Sequence, residues 1–199
     1  STSRRQRQMC IRDRSSVSRA RQYEWTRPIL DLARDKQADF LRRSFQLPLA
    51  QVDSLRCEEV LDKPLPEMHI RASITALRYA NKTGSRLFVP VAPLRSGPGR
   101  FTAERRHDLW IDKGYCDTDS LTLHLPEGYV VEALPKSVTI ENRFGKIAFE
   151  ALCSGDRLHI RIRLLRRSGR YPQSEYAAFR EFMQAVDRVY SAKIVLRKV

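Results

Sequence analysis

Leu158-His159-Ile160-Arg161-Ile162-Arg163-Leu164 alternates apolar and polar residues without a break. Successive side chains of a strand point to opposite faces, so this stretch sets Leu158, Ile160, Ile162 and Leu164 on a core. His159, Arg161 and Arg163 then face water. The same period of two runs through Met68, Ile70, Ala72, Ile74 and Ala76. It recurs at Leu121, Leu123 and Leu125, at Val138 and Ile140, and at Ile147, Phe149 and Ala151. Turn-forming stretches fall between these runs: Asn81-Lys82-Thr83-Gly84, Pro126-Glu127-Gly128, Asn142-Arg143-Phe144-Gly145 and Ser154-Gly155-Asp156. Short strands at such intervals predict a mainly β protein, an antiparallel β-sandwich. Arg95-Ser96-Gly97-Pro98-Gly99 reads as a longer loop that separates an early strand group from a later one.

The period lengthens toward 3.6 at both ends of the chain. Ala38, Leu41 and Phe45 predict a short N-terminal helix over Asp35–Phe45, ended by Leu47-Pro48. Tyr176, Phe179, Met183, Val186 and Tyr190 predict a C-terminal helix packed on the sheet, with Ser174 as its cap. Ile194 and Leu196 then mark a last strand over Lys193–Arg197.

Residues 4–14, Arg-Arg-Gln-Arg-Gln-Met-Cys-Ile-Arg-Asp-Arg, resemble one translated frame of a sequencing-library adaptor. Residues 1–14 are therefore read as an artefact and set aside from fold reasoning. Residues 15–48 are read as a connecting segment carrying the short helix. Its residues Tyr23, Trp25, Ile29 and Leu30 are too apolar for a free linker and are expected to pack on a neighbouring domain. Residues 49–199 are read as the β-sandwich.

The hydrophobic content of 42% fits a folded chain rather than a disordered one. No apolar run approaches 18 residues, so no membrane-spanning helix is expected. The net charge is +14, and about +10 without the five Arg and one Asp of residues 4–14. Such a balance bears on partners, not on fold.

Cys57, Cys116 and Cys153 form no CxxC pair and no disulfide framework. Cys116, in Gly114-Tyr115-Cys116-Asp117, is expected in a turn between strands, without the helix N-terminus that lowers a nucleophilic thiol's pKa. Cys153 is expected to pack in a strand. Asp117 and Asp119 read as an acidic pair in that turn, lacking the further ligands of a calcium loop. His124 and His159 fall on polar strand faces and could be neighbours, but two imidazoles make a poor zinc site. His69 and His107 stand apart. Arg161, Arg163, Arg166, Arg167 and Arg170 cluster after the cleanest strand, with Arg105, Arg106 and His107 as a second basic group. Aromatic residues do not interleave with the Arg on that strand, so nucleic acid is not the expected partner. No catalytic, cofactor-binding or metal-binding residue and no cofactor are expected.

Leu125-Pro126-Glu127-Gly128-Tyr129, Glu132-Ala133-Leu134-Pro135 and Phe144-Gly145 are followed by Gly169-Arg170-Tyr171-Pro172, Tyr176, Phe179, Phe182 and Lys193-Ile194-Val195-Leu196. In this order and spacing they resemble the C-terminal domain of unknown function of large bacterial transglutaminase-like proteins, most closely over residues 84–199. The resemblance implies a periplasmic or secreted parent with an N-terminal β-domain and a papain-like Cys-His-Asp core upstream. None of that core maps onto this chain, so no catalytic residue is carried over. The expected function is that of a non-catalytic accessory domain partnered by the upstream core. Alternatives are a stand-alone surface β-sandwich that binds glycan or peptide, and a nucleic-acid-binding β-domain.

Overall fold

The computed structural model describes residues 8–19, 21–43, 50–77, 79–93, 101 and 104–199. The Arg95–Gly99 loop and the chain around Leu47-Pro48 lie outside them. The protein is mainly β, with several antiparallel sheets, a short N-terminal helix and a C-terminal helix.

Strand β1 (Gln8–Arg19) leads through helix α1 (Arg21–Thr26) and a 3-10 turn (Arg27–Asp31) to helix α2 (Arg34–Arg43). Next come β2 (Ala50–Val60), β3 (Glu67–Leu77), β4 (Asn81–Thr83), β5 (Arg86–Pro90) and β6 (Leu109–Ile111). The later strands are β7 (Tyr115–His124), β8 (Tyr129–Ala133), β9 (Val138–Asn142), β10 (Gly145–Ser154), β11 (Arg157–Arg166) and β12 (Gly169–Tyr171). Helix α3 (Tyr176–Ser191) and strand β13 (Lys193–Lys198) close the chain.

One sheet runs β2-β3-β1-β7-β11-β10-β9. The early and later strands therefore share a sheet instead of separating at the Arg95–Gly99 loop, because β1 pairs with β3 on one side and β7 on the other. A four-stranded sheet runs β4-β5-β13-β8, and β6 pairs with β12. The alternation read from Leu158–Leu164 holds through β11: Leu158, Ile160, Ile162 and Leu164 are buried, while His159, Arg161 and Arg163 are exposed.

One contiguous core joins Ile74, Leu123, Ile147 and Ile160 of the large sheet to Val89, Ile194 and Leu196 of the small one. Helix α3 adds Tyr176, Phe179, Phe182, Met183, Val186 and Val189 to it. Burial of each large aliphatic side chain stabilises the fold by about 1.5–3 kcal/mol before entropy is subtracted. The helix has no cap from Ser174. That residue sits in a 3-10 turn, Gln173–Glu175, and Glu175 occupies the cap position without a side-chain bond.

Two details depart from the linear reading. Ile29 is fully buried, and Tyr23 and Leu30 pack against the core, so this segment closes on its own chain. Only Trp25 of that group remains open, 61% exposed. Phe144 lies in the two-residue turn between β9 and β10, yet it is 1% exposed. Its ring centroid is 4.8 Å from that of Tyr171 and 5.5 Å from that of Phe179. The turn leads into Gly145, where β10 begins close against the backbone of β11. A Cβ there would stand 2.0 Å from the Leu165 carbonyl oxygen.

Candidate functional site: a basic cleft on the outer sheet face

Paired residues of an antiparallel sheet point to the same side. Register therefore sets Ser15 of β1 beside Ser120 of β7, with Val17 two residues further along the same face, and Thr118 beside Arg163 of β11. Arg161 lies one row further, opposite Ser120. Val17, Thr118, Arg161 and Arg163 floor a cleft of about 610 Å³. Helix α1 supplies one wall with Gln22 and Trp25. The loop before β7 supplies Lys113 and Gly114, and the strand ends supply Tyr115, Cys116 and Arg166. Gly114 permits this closure, since a Cβ there would meet the Arg166 carbonyl oxygen and the Ser168 nitrogen at 2.9 Å.

The cations of the cleft differ in how far they are neutralised. Arg19 donates through Nε to Glu67 Oε1 at 2.5 Å. Glu67 is buried and also meets His69 Nε2 at 2.7 Å and Lys63 Nζ at 3.6 Å. The hydrogen bonds from His69 and Arg19 hold its carboxyl down to about 2. Lys113 lies 3.9 Å from Asp112 and 5.6 Å from the centroid of the Trp25 ring. The Arg166 guanidinium covers the Tyr115 ring at 4.5 Å and donates to the Lys113 carbonyl at 3.1 Å. Arg161 and Arg163 differ from these. Both are exposed, and neither has an ion-pair or hydrogen-bond partner among the described residues. Glu150 stands opposite Arg161 in register without forming an ion pair with it.

The five-Arg cluster of the linear sequence is thus divided. Arg161, Arg163 and Arg166 enter the cleft, whereas Arg167 donates to the Asn142 carbonyl and to Glu141. Hydrogen bonds from Lys146 and Arg167 in turn lower the Glu141 carboxyl. Arg170 points away on β12, opposite the exposed Trp110. Of the second basic group, Arg105 donates to the carbonyls of His107 and Asp108 and lies 5.7 Å from the Tyr176 ring centroid. Arg106 and His107 are exposed.

Cys116 is in β7, not in a turn, because strand pairing with β11 extends through Tyr115. Asp117 and Asp119 belong to the same strand. Asp119 is buried, and Asp117 accepts from the Gln22 amide. Cys153 is exposed at the β10–β11 turn instead of packed: it shares the inward row with Phe149 and Ala151 and pairs with the buried Leu158, but it lies at the end of the hairpin, where the core no longer covers that row. Cys57 is half-buried on β2, and burial pushes its thiol up. His159 Nδ1 lies 3.2 Å from Thr122 Oγ1, and His124 Nδ1 lies 3.3 Å from Asp156 Oδ2. The two imidazoles therefore sit diagonally on adjacent strands but bond to different partners. Cys116 is opposite Leu165, six residues along β11 from His159, or about 20 Å at strand rise. Among the described residues, no three His, Cys, Asp or Glu side chains are grouped as metal ligands would be. No helix among them is long and apolar enough to cross a membrane.

The fold and this surface define an antiparallel β-domain with a basic cleft formed by its largest sheet and a short covering helix. A family model described as a domain of unknown function with solved structure (DUF3858) matches residues 85–196, more than half of the chain. The protein belongs to this family. No curated protein and no solved structure matches the chain.

Proposed function

We propose that the chain is a non-catalytic accessory β-domain of a larger bacterial transglutaminase-like protein that works in the periplasm or outside the cell. The observation that carries this reading is the family match over residues 85–196, which coincides with the ordered motifs from Leu125 to Leu196. The geometry around the thiols also supports it. A papain-like nucleophile requires a base within hydrogen-bond reach. Cys116 instead lies among Arg, Lys and Gln side chains, with His124 and His159 at the other end of the β7–β11 pair. In this reading the basic outer face meets an acidic surface of the upstream core.

A peptide-binding role for the free-standing domain is a second reading. It is favoured by the volume of the cleft and by the open ring of Trp25.

Sequencing the genomic DNA upstream of the Ser15 codon tests the parent assignment. An open frame that encodes a signal peptide and a Cys…His…Asp core supports it. A natural start codon and ribosome-binding site immediately before residue 1 overturn it.

A further inference from the structure

We infer that the cleft is a binding site for an extended acidic peptide whose carboxylates lie on alternate residues. The inference concerns what the cleft recognises and holds whether the peptide belongs to the parent chain or to another protein. It is therefore separable from the parent assignment tested above.

The first observation is the spacing of the unneutralised charges. Arg161 and Arg163 are two residues apart on one face of β11, which separates their anchoring points by about 7 Å. An extended peptide presents its i and i+2 side chains with the same repeat. Two carboxylates so placed meet two guanidiniums, each of which can donate a forked, charge-assisted pair of hydrogen bonds to one carboxylate. Arg19, whose charge is already spent on Glu67, positions β1 and does not contribute a free cation.

The second observation is the pairing of charge with a single open apolar surface. Trp25 is 61% exposed and stands over Lys113 at the cleft wall. Such a ring suits an apolar residue flanking the acidic pair. Single-stranded nucleic acid calls for successive stacking platforms. Here the second aromatic of the cleft, Tyr115, already has its face covered by Arg166 at 4.5 Å. One open ring beside two free guanidiniums fits a short acidic peptide better than a run of bases.

The third observation is polar complementarity on the floor. Thr118 lies opposite Arg163 and is half-buried, so it offers a hydroxyl beside that guanidinium. Glu150, the acidic neighbour of Arg161 across β10, leaves that guanidinium uncommitted.

The test is a fluorescence titration of the full 199-residue chain, with Trp25 as the reporter and the W25F variant used to subtract Trp110. The probes are a blocked Leu-Glu-Gly-Glu-Leu peptide, its Leu-Gln-Gly-Gln-Leu counterpart and a short oligothymidylate. The glutamate peptide is expected to give a saturable change that weakens with added salt, and the glutamine peptide at least a tenfold weaker one. Replacing both residues in R161A/R163A is expected to weaken binding of the glutamate peptide by tenfold or more with an unchanged melting temperature. The R161K/R163K variant is expected to retain part of the affinity, which loss of folding would not allow. A glutamate peptide that gives no saturable change, or one no better than the glutamine peptide, overturns the inference. Tighter binding of the oligothymidylate than of the glutamate peptide also overturns it, in favour of a nucleic-acid site.

Discussion

Arg19 and Glu67 face each other in register across β1 and β3, with Nε donating to Oε1 at 2.5 Å. The pair fastens the end of β1, from which helix α1 departs to cover the cleft. Glu67 is buried while Arg19 remains partly in water, so the carboxylate is the partner that depends on the pairing.

Acid should therefore loosen this corner of the protein. The Glu67 carboxyl is held at about 2, below its ordinary value of 4.5, by hydrogen bonds from His69 and Arg19. A depressed carboxyl contributes stability that is present above its unfolded value and is lost as pH falls through its folded value. The contribution should be full at neutral pH and should disappear between pH 4.5 and about 2. Melting temperatures of wild type and E67Q measured from pH 7 to pH 2 should differ most at neutral pH and converge at the acid end. Curves that stay parallel throughout would remove Glu67 from this role.

Phe144 should behave as a core residue despite its place in a turn. Its ring contacts Tyr171 and Phe179 and is almost wholly enclosed. Phe144→Ala is expected to cost about 3–5 kcal/mol in urea unfolding, the range for emptying a buried aromatic site. A loss below about 1 kcal/mol would mean the turn does not anchor α3 to β9.

Gly145→Ala should be destabilising for a different reason. The added methyl would meet the Leu165 carbonyl oxygen at 2.0 Å, and that atom belongs to backbone. The β10–β11 pairing must shift to admit it. A loss of about 2 kcal/mol or more is expected by the same unfolding measurement. A neutral result would show that the hairpin can open at this row without cost.

Tyr79 is buried and donates to the Pro90 carbonyl at 2.6 Å, and burial raises its hydroxyl above the ordinary range. In an alkaline spectrophotometric titration it should stay un-ionised until the chain unfolds. Tyr79→Phe should leave the folded-state titration curve unchanged and cost about 1 kcal/mol, the worth of one hydrogen bond. A curve that loses one titrating group below the unfolding transition would contradict the burial.

Thiol labelling should separate the cysteines. Cys116 and Cys153 are exposed, whereas Cys57 is half-buried with its thiol raised by desolvation. Brief iodoacetamide treatment of the native chain at neutral pH should modify Cys116 and Cys153 before Cys57, because the thiolate is the reacting form. Peptide mapping by mass spectrometry gives the order. Preferential labelling of Cys57 would indicate that β2 detaches from β3.

Local periodicity determined much of this protein from its sequence. The alternation at Leu158–Leu164 marks β11 and its core face, and the spacing from Tyr176 to Tyr190 marks α3 and its apolar stripe. Such patterns are legible because an element repeats its geometry every two or 3.6 residues, whatever its neighbours do. Partnership is not local. That β1 lies between β3 and β7 was decided by long-range pairing, which left no periodic signal in residues 15–19. The same pairing brings Ser15, Ser120 and Arg161 into one row, and Trp25 folds over Lys113, joining residues far apart in the chain. It also turns Phe144 inward from a stretch whose Asn and Gly mark only a turn. The sequence alone determined the strands and the charge they carry. Only the tertiary structure decided which charges stand free beside an open aromatic ring, because neutralisation depends on neighbours that the chain supplies from elsewhere.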